Sequence, residues 1–232
     1  MRPYLIFIPC LWLTNNVLGN NTTRTPIEVL ETYSEAFQSH GTLEIDGSYG
    51  ALIIEGSSSP NVRLKLEKKT TKGYNLADHD QFKKDIDQTL VRFQRMSPGY
   101  LRLQTKLPSF NLKRPLQGRS NLNLTYYLTV PRDTKLIIRH DVGLVKIREV
   151  IGQLDVRSKV GEVEVSLSES HNSSIHASTR IGDVESDFHP EVTRKLLLGA
   201  ELNDDSGRPR HRVDLQVGVG AIKITRQRPE TI

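Results

Sequence analysis

The sequence predicts an all-β fold, a β-solenoid (parallel β-helix-like) of short glycine-cornered rungs, on three observations. Gly143, Gly152 and Gly161 fall nine residues apart. Each is followed at +2 and +4 by an aliphatic pair: Val145 and Ile147, Leu154 and Val156, Val163 and Val165. A polar residue (Lys146, Asp155, Glu164) sits between the members of each pair, so each unit reads as a short strand with two side chains in and one out. Glycine suits a corner because it adopts positive φ without steric cost. A unit this small cannot bury its own apolar face, so copies must stack into one narrow core.

In chain order, MRPYLIFIPCLWLTNNVLG has Arg2 near its front, an apolar run from Tyr4 to Leu13, and small Val17 and Gly19 before the next segment. This reads as a signal peptide over 1–19, cleaved near Gly19, and hence export to the periplasm, the cell surface or the medium. An apolar run of about ten residues is short for roughly 30 Å of hydrocarbon, which argues against an uncleaved anchor. In the alternative of a lipid-bearing Cys10, the residues before the cysteine should be small, and they are Phe7, Ile8 and Pro9. The expected mature chain has no transmembrane span.

Residues 20–36 read as a linker, polar from Asn20 to Pro26, after which the loosely apolar stretch from Ile27 on to Phe37 has no clear assignment. An N-terminal β lobe is expected over 37–106, where Gly41 precedes Leu43 and Ile45, Gly50 precedes Leu52 and Ile54, and Val62, Leu64 and Leu66 alternate with charged residues. Phe82, Ile86 and Leu90 sit four apart and predict a helix over about 77–90. Val91 and Phe93, a turn at Ser97-Pro98-Gly99, then Leu101 and Leu103 predict a hairpin. Residues 107–120, with two prolines and no periodicity, read as a loop between lobes.

The second lobe spans 121–225. Leu122, Leu124, Tyr126, Leu128 and Val130 alternate over nine residues and Pro131 ends the strand. The three glycine units follow, then Ile175 and Ala177, then Val184 after Gly182. Residues 188–211 break the period and leave the rung count open. Gly220, Ile222 and Ile224 read as the last rung, and the basic tail 226–232 as the cap on its edge.

Composition narrows the class. Cys10 is the only cysteine, so a mature chain from Asn20 has no disulfide, thiol nucleophile or cysteine-bound zinc. That suits a bacterial envelope better than a disulfide-stapled module. The sequons at Asn20, Asn21, Asn123 and Asn172 would matter only in a eukaryotic secretory pathway. The net charge of +5 favours anionic partners modestly, and ordinary solubility explains it equally well.

The tract Tyr127 to Pro131 (YLTVP), followed by Gly143, Gly152, Gly161 and Gly182 units and a closing V-G-x-I-x-I, resembles the bacterial putative-adhesin domain family. The resemblance covers about 37–225 and departs from the family over 188–211. It implies a β-helical surface or envelope protein related to the head domains of auto-transporter adhesins, a domain of unknown function without known catalysis and with no agreed functional residues to carry over.

Catalytic motifs are missing: no G-x-S-x-G elbow, no H-E-x-x-H, no phosphate loop, no dinucleotide fingerprint. The glycines Gly143, Gly152, Gly161, Gly182 and Gly220 are expected to serve the corners rather than a ligand. Seven histidines include His171 and His176, His140 beside Asp141, and His189; none of the spacings puts two imidazoles on one face, so they read as solvated. Asn203, Asp204, Asp205 and Gly207 fail the calcium-loop spacing and read as a polar turn. Arg208, Arg210 and Arg212, with Lys113, Arg114 and Arg119, are the candidate surface for an anionic cell-surface polymer or envelope protein. Nucleic acid is not expected, because aromatics are sparse and not interleaved with these cations.

The function expected is therefore an exported, non-enzymatic binding protein with no cofactor or metal. Two alternatives stay open: a β-helical polysaccharide-processing enzyme, which needs a long groove with carboxylates and aromatics, and an envelope-stress or signalling accessory docking on a membrane partner.

Overall fold

The computed structural model describes residues 27–70, 83–107, 122–168, 173–188, 193–195, 198–204 and 211–227. The expected signal peptide, most of the loop 107–120, the front of the predicted helix and the tail beyond 227 lie outside them.

Twelve strands form one mixed sheet. They are β1 (Glu28–Ala36), β2 (Thr42–Ser57), β3 (Asn61–Thr70), β4 (Leu90–Ser97), β5 (Tyr100–Lys106), β6 (Leu122–Pro131), β7 (Lys135–Arg148), β8 (Leu154–Ser168), β9 (Ser173–Ser186), β10 (Thr193–Lys195), β11 (Gly199–Asp204) and β12 (His211–Gln227). The single described helix, α1, covers 83–88. The fold is thus all-β, with antiparallel strands at both ends of a parallel centre and, among the described residues, no closure of the sheet on itself.

That centre is the row β2-β7-β8-β12-β9, all parallel. Each of these strands changes face in its middle. In β8 the buried residues are Leu154, Val156 and Ser158, then Val163, Val165 and Leu167. The step from 158 to 163 breaks the period of two, so the chain must turn for both halves to face one core. The turn is at Gly161, with φ of 135°. Gly50, Gly143, Gly182 and Gly220 hold the same place in their strands, also at positive φ. Inside lie Leu43, Ile45, Leu52, Ile54, Val145 and their counterparts along the row, all in one contiguous core.

Two expectations change here. The nine-residue period is half of the structural repeat: Gly143 and Gly161, eighteen residues apart, are true corners, whereas Gly152 lies between β7 and β8. Gly152 is not held by positive φ; a Cβ there would overlap the carbonyl oxygen of Thr134. The second change concerns the last rung. β12 does not end the row but inserts between β8 and β9. Beyond β9 the row is closed by the antiparallel pair β11–β10, so these two strands occupy the edge assigned to the tail.

At the other end β2 forks. Its first half pairs with β5, its second half with β6, and both halves pair with β7. β4 and β5 form the expected hairpin, with Gly99 at φ of 76°. Residues 28–36, unassigned from sequence, become an edge strand antiparallel to β3. Lys68, 2% exposed, ties this end together. Its Nζ donates to Glu31 Oε1 at 2.7 Å and to Thr89 O at 2.7 Å, just past the C-terminal end of α1, where a cation is favoured.

Candidate functional site: the corner face and its groove

The corners carry the most distinctive surface of the molecule. Immediately before each corner glycine stands an apolar residue: Tyr49, Val142, Val160, Val219 and Ile181 in spatial order. The valines and the isoleucine are 37–44% exposed. They point outward because a residue at the bend belongs to neither inward-facing half. The result is one apolar crest across adjacent strands, with each side chain about 4.8 Å from the next.

Beside the crest opens a groove of about 800 Å³. β8 contributes Arg157, Ser158 and Lys159, β9 contributes Ser178, Thr179 and Arg180, and β12 lies between them. Thr179 fixes its wall. Its Oγ1 donates to Gly182 O at 3.1 Å and accepts from Ala200 N at 3.0 Å, which clamps the β9 corner to β11. Leu198, exposed at 64%, stands at the rim.

The outward rows of the walls carry ordinary cross-strand charge pairing. Arg139 makes a bidentate pair with Asp155 at 3.0 and 3.1 Å, and Lys146 meets Glu164. Continuing that second row, Lys223 lies opposite both Glu164 and Glu185, so charge alternates from β7 to β9.

Of the predicted anionic-contact residues, only Arg212 falls among the described ones. Arg212 lies at the start of β12, away from the corner, and pairs with Asp214 at 3.2 Å. Arg208, Arg210, Lys113, Arg114 and Arg119 lie outside the described residues. The cations that do converge are Arg157, Lys159 and Arg180. A usable signal was present: aligned on their glycines, two units read Lys-Val-Gly-Glu (159–162) and Arg-Ile-Gly-Asp (180–183).

His140 also differs from expectation. It is buried, not solvated, beneath the corner of β7, and burial pushes its pKa down despite Asp141 nearby and hydrogen bonds with the backbone at Gly50 and Val142. Asn203 and Asp204 belong to β11 rather than a turn, and Asn203 meets His176 across the β9–β11 ladder. Among the described residues no group of three potential ligands is placed to hold a metal, and no helix is long and apolar enough to cross a membrane.

One cluster looks like a catalytic set by composition. Ser39, His40 and Asp133 meet at a second, smaller groove of about 330 Å³. In a nucleophilic triad the imidazole stands between hydroxyl and carboxylate. Here the carboxylate stands in the middle, taking the Ser39 hydroxyl, the His40 backbone N–H at 3.0 Å and the exposed His40 ring at 3.3 Å. Burial alone would raise the Asp133 pKa, but these donors hold it below the usual carboxylate range. The cluster is a clamp on the turn before β2.

No family model matches the chain, and no curated protein matches it. Solved structures do. A putative cell adhesion protein of Clostridium sporogenes superposes with a TM-score of 0.53 over 88% of this chain and 100% of its own, at 16% identity. The two chains share a fold. A putative adhesin of Bacteroides fragilis aligns over 84% of this chain and 96% of its own with a TM-score of 0.33 and 15% identity. A putative lipid binding protein of Parabacteroides distasonis aligns over 86% and 97% with 0.23 and 10%. Those last two superpose too loosely to bear on function.

Proposed function

We propose that this chain is an exported, non-enzymatic surface-binding protein of the putative-adhesin type, which presents its row of glycine corners to another component of the envelope or its surroundings. In this reading the five parallel strands act as rungs of a short, open solenoid, and the mature chain begins near Asn20 after signal cleavage. The observation that carries it is the crest Val142-Val160-Val219-Ile181: an aligned apolar row, half-exposed, on a rigid parallel ladder. A soluble chain gains nothing from solvating such a row, and exposed apolar rows rimmed by charge mark binding surfaces. The fold shared with the Clostridium sporogenes protein supports the same direction as an analogy of architecture.

The test is fractionation of the native host, with the mature N-terminus read by mass spectrometry and intact cells treated with protease. A chain starting at Asn20 and digested from outside is the expected result. A chain starting at Met1 in the soluble cytoplasmic fraction overturns the proposal.

A further inference from the structure

Two charged corners straddle a bare one. On β8 the corner is Lys159-Val160-Gly161-Glu162 and on β9 it is Arg180-Ile181-Gly182-Asp183, while β12 between them contributes Gly218-Val219-Gly220-Ala221. Lys159 and Arg180 therefore flank a strand with no side chain at the equivalent position, two strand spacings or about 9.6 Å apart by backbone. Packing keeps that position bare, since a Cβ on Gly218 would lie 2.5 Å from the Lys159 carbonyl oxygen.

The cations of this notch are unevenly partnered. The residues lining the groove include three cations and no carboxylate. Lys159, whose side chain is mostly exposed, reaches Asp141 at 2.6 Å on the β7 side. Arg157 leans on Asp155 at 3.5 Å, a carboxylate already held by Arg139. Arg180 makes no ion pair among the described residues. Ser178, half-buried on the same strand as Arg180, supplies a neutral hydrogen-bonding group, while the Gln216 amide already donates to Asp214 Oδ1 at 3.2 Å.

Next to the groove, one residue beyond its lining on each strand, the surface is aliphatic. Val160, Val219 and Ile181 form the crest beside the notch, and Leu198 stands exposed at the rim. The Arg180 guanidinium on one wall, with the mostly exposed Lys159 on the other able to swing to it from Asp141, selects an oxyanion. The aliphatic crest selects the rest of the ligand, since sugar rings are gripped by aromatic faces and the described lining holds none. We propose that the groove binds the phosphate of an anionic amphiphile between Lys159 and Arg180, with its alkyl portion lying along the crest.

This inference rests on reading the corner as a binding face, but its test needs only the purified full chain. Binding in a protein that proves cytoplasmic would sink the export reading alone. Titration calorimetry with dihexanoyl phosphatidylglycerol probes the free amphiphile, and co-sedimentation with phosphatidylglycerol or phosphatidylcholine vesicles probes a bilayer. Lys159→Ala with Arg180→Ala should weaken binding at least about tenfold, because two charge-assisted contacts are lost. Arg63→Ala with Arg148→Ala, two exposed cations elsewhere with the same change in net charge, should leave it unchanged. Ile181→Glu, which sets a carboxylate on the crest, should also weaken binding. Equal losses in both double variants, no binding of either phosphatidylglycerol form, or polygalacturonate competing as tightly as the amphiphile would each overturn the assignment. Capture of vesicles without the soluble ligand assigns the phosphate to a lipid surface, and capture of both to a single amphiphile molecule.

Discussion

Gly161 lies against Gly143 so closely that a Cβ on Gly161 would overlap the Gly143 carbonyl oxygen. The same relation repeats along the row, from Gly143 to Gly50, from Gly220 to Gly161 and from Gly182 to Gly220. The corner thus demands glycine twice over, for backbone conformation at φ of 135° and for the space between stacked strands.

Substituting this column should be among the most damaging changes available. Gly161→Val is expected to cost more than about 4 kcal/mol, because strain at positive φ adds to backbone displacement. Lys146→Ala, which removes a half-exposed ion pair with Glu164, should cost under about 1 kcal/mol. Equal denaturation midpoints for the two variants would contradict the stacked-corner model. Gly152→Ala makes a sharper comparison. Lacking positive φ, it should be destabilising only through its approach to Thr134, and so less than Gly161→Ala.

Thr179 supplies a second test. Thr179→Val keeps the shape but deprives the buried Ala200 N–H of its acceptor. The expected loss is about 1–3 kcal/mol, while Thr179→Ser should retain most of the stability. Thermal unfolding of the pair decides it: if Val and Ser behave alike, the clamp between β9 and β11 does not depend on the hydroxyl.

Lys68 and Glu31 define the opposite end. Lys68→Ala is expected to destabilise by roughly 2–4 kcal/mol, since the aliphatic stem, the pair with Glu31 and the bond to Thr89 O all go together. Lys68→Met keeps the stem and should lose less. Hydrogen exchange at 83–89 should quicken in both, and unchanged protection there would mean the lysine does not hold the helix end.

Acid should act in two stages. Burial keeps the folded His140 pKa below its ordinary value, so near pH 6.5 the unfolded chain takes up a proton that the folded chain does not. Stability is therefore full above that pH and falls as pH drops below it, by up to about 1.4 kcal/mol per pH unit. Glu44 and Asp133 act lower down. Burial would raise the Glu44 pKa, but Tyr100 and Arg102 hold it down, as Ser39 and His40 do for Asp133. Their contribution is present above the unfolded carboxylate values of about 4 and is lost as pH falls through the depressed folded ones. In His140→Gln the upper stage should vanish and the lower one remain; a melting temperature that falls just as steeply from pH 6.5 to 5 would rule out His140 as its source.

The sequence by itself determined which side chains face inward. Leu154, Val156, Val163 and Val165 are buried and Asp155 and Glu164 are not, because alternation is a local consequence of strand geometry that any stacking must respect. It determined the hairpin at Gly99 for the same local reason, and it marked the corners, though at half the true period. Strand order was decided only in the tertiary structure. Nothing local places β12 between β8 and β9; that choice rests on pairing across long separations, visible where Lys223 sits between Glu164 and Glu185 instead of leaving two carboxylates opposed. The groove follows from that order. Lys159 and Arg180 are ordinary exposed cations in the chain, and they stand in register on either side of Gly218 only because a distant strand entered between theirs.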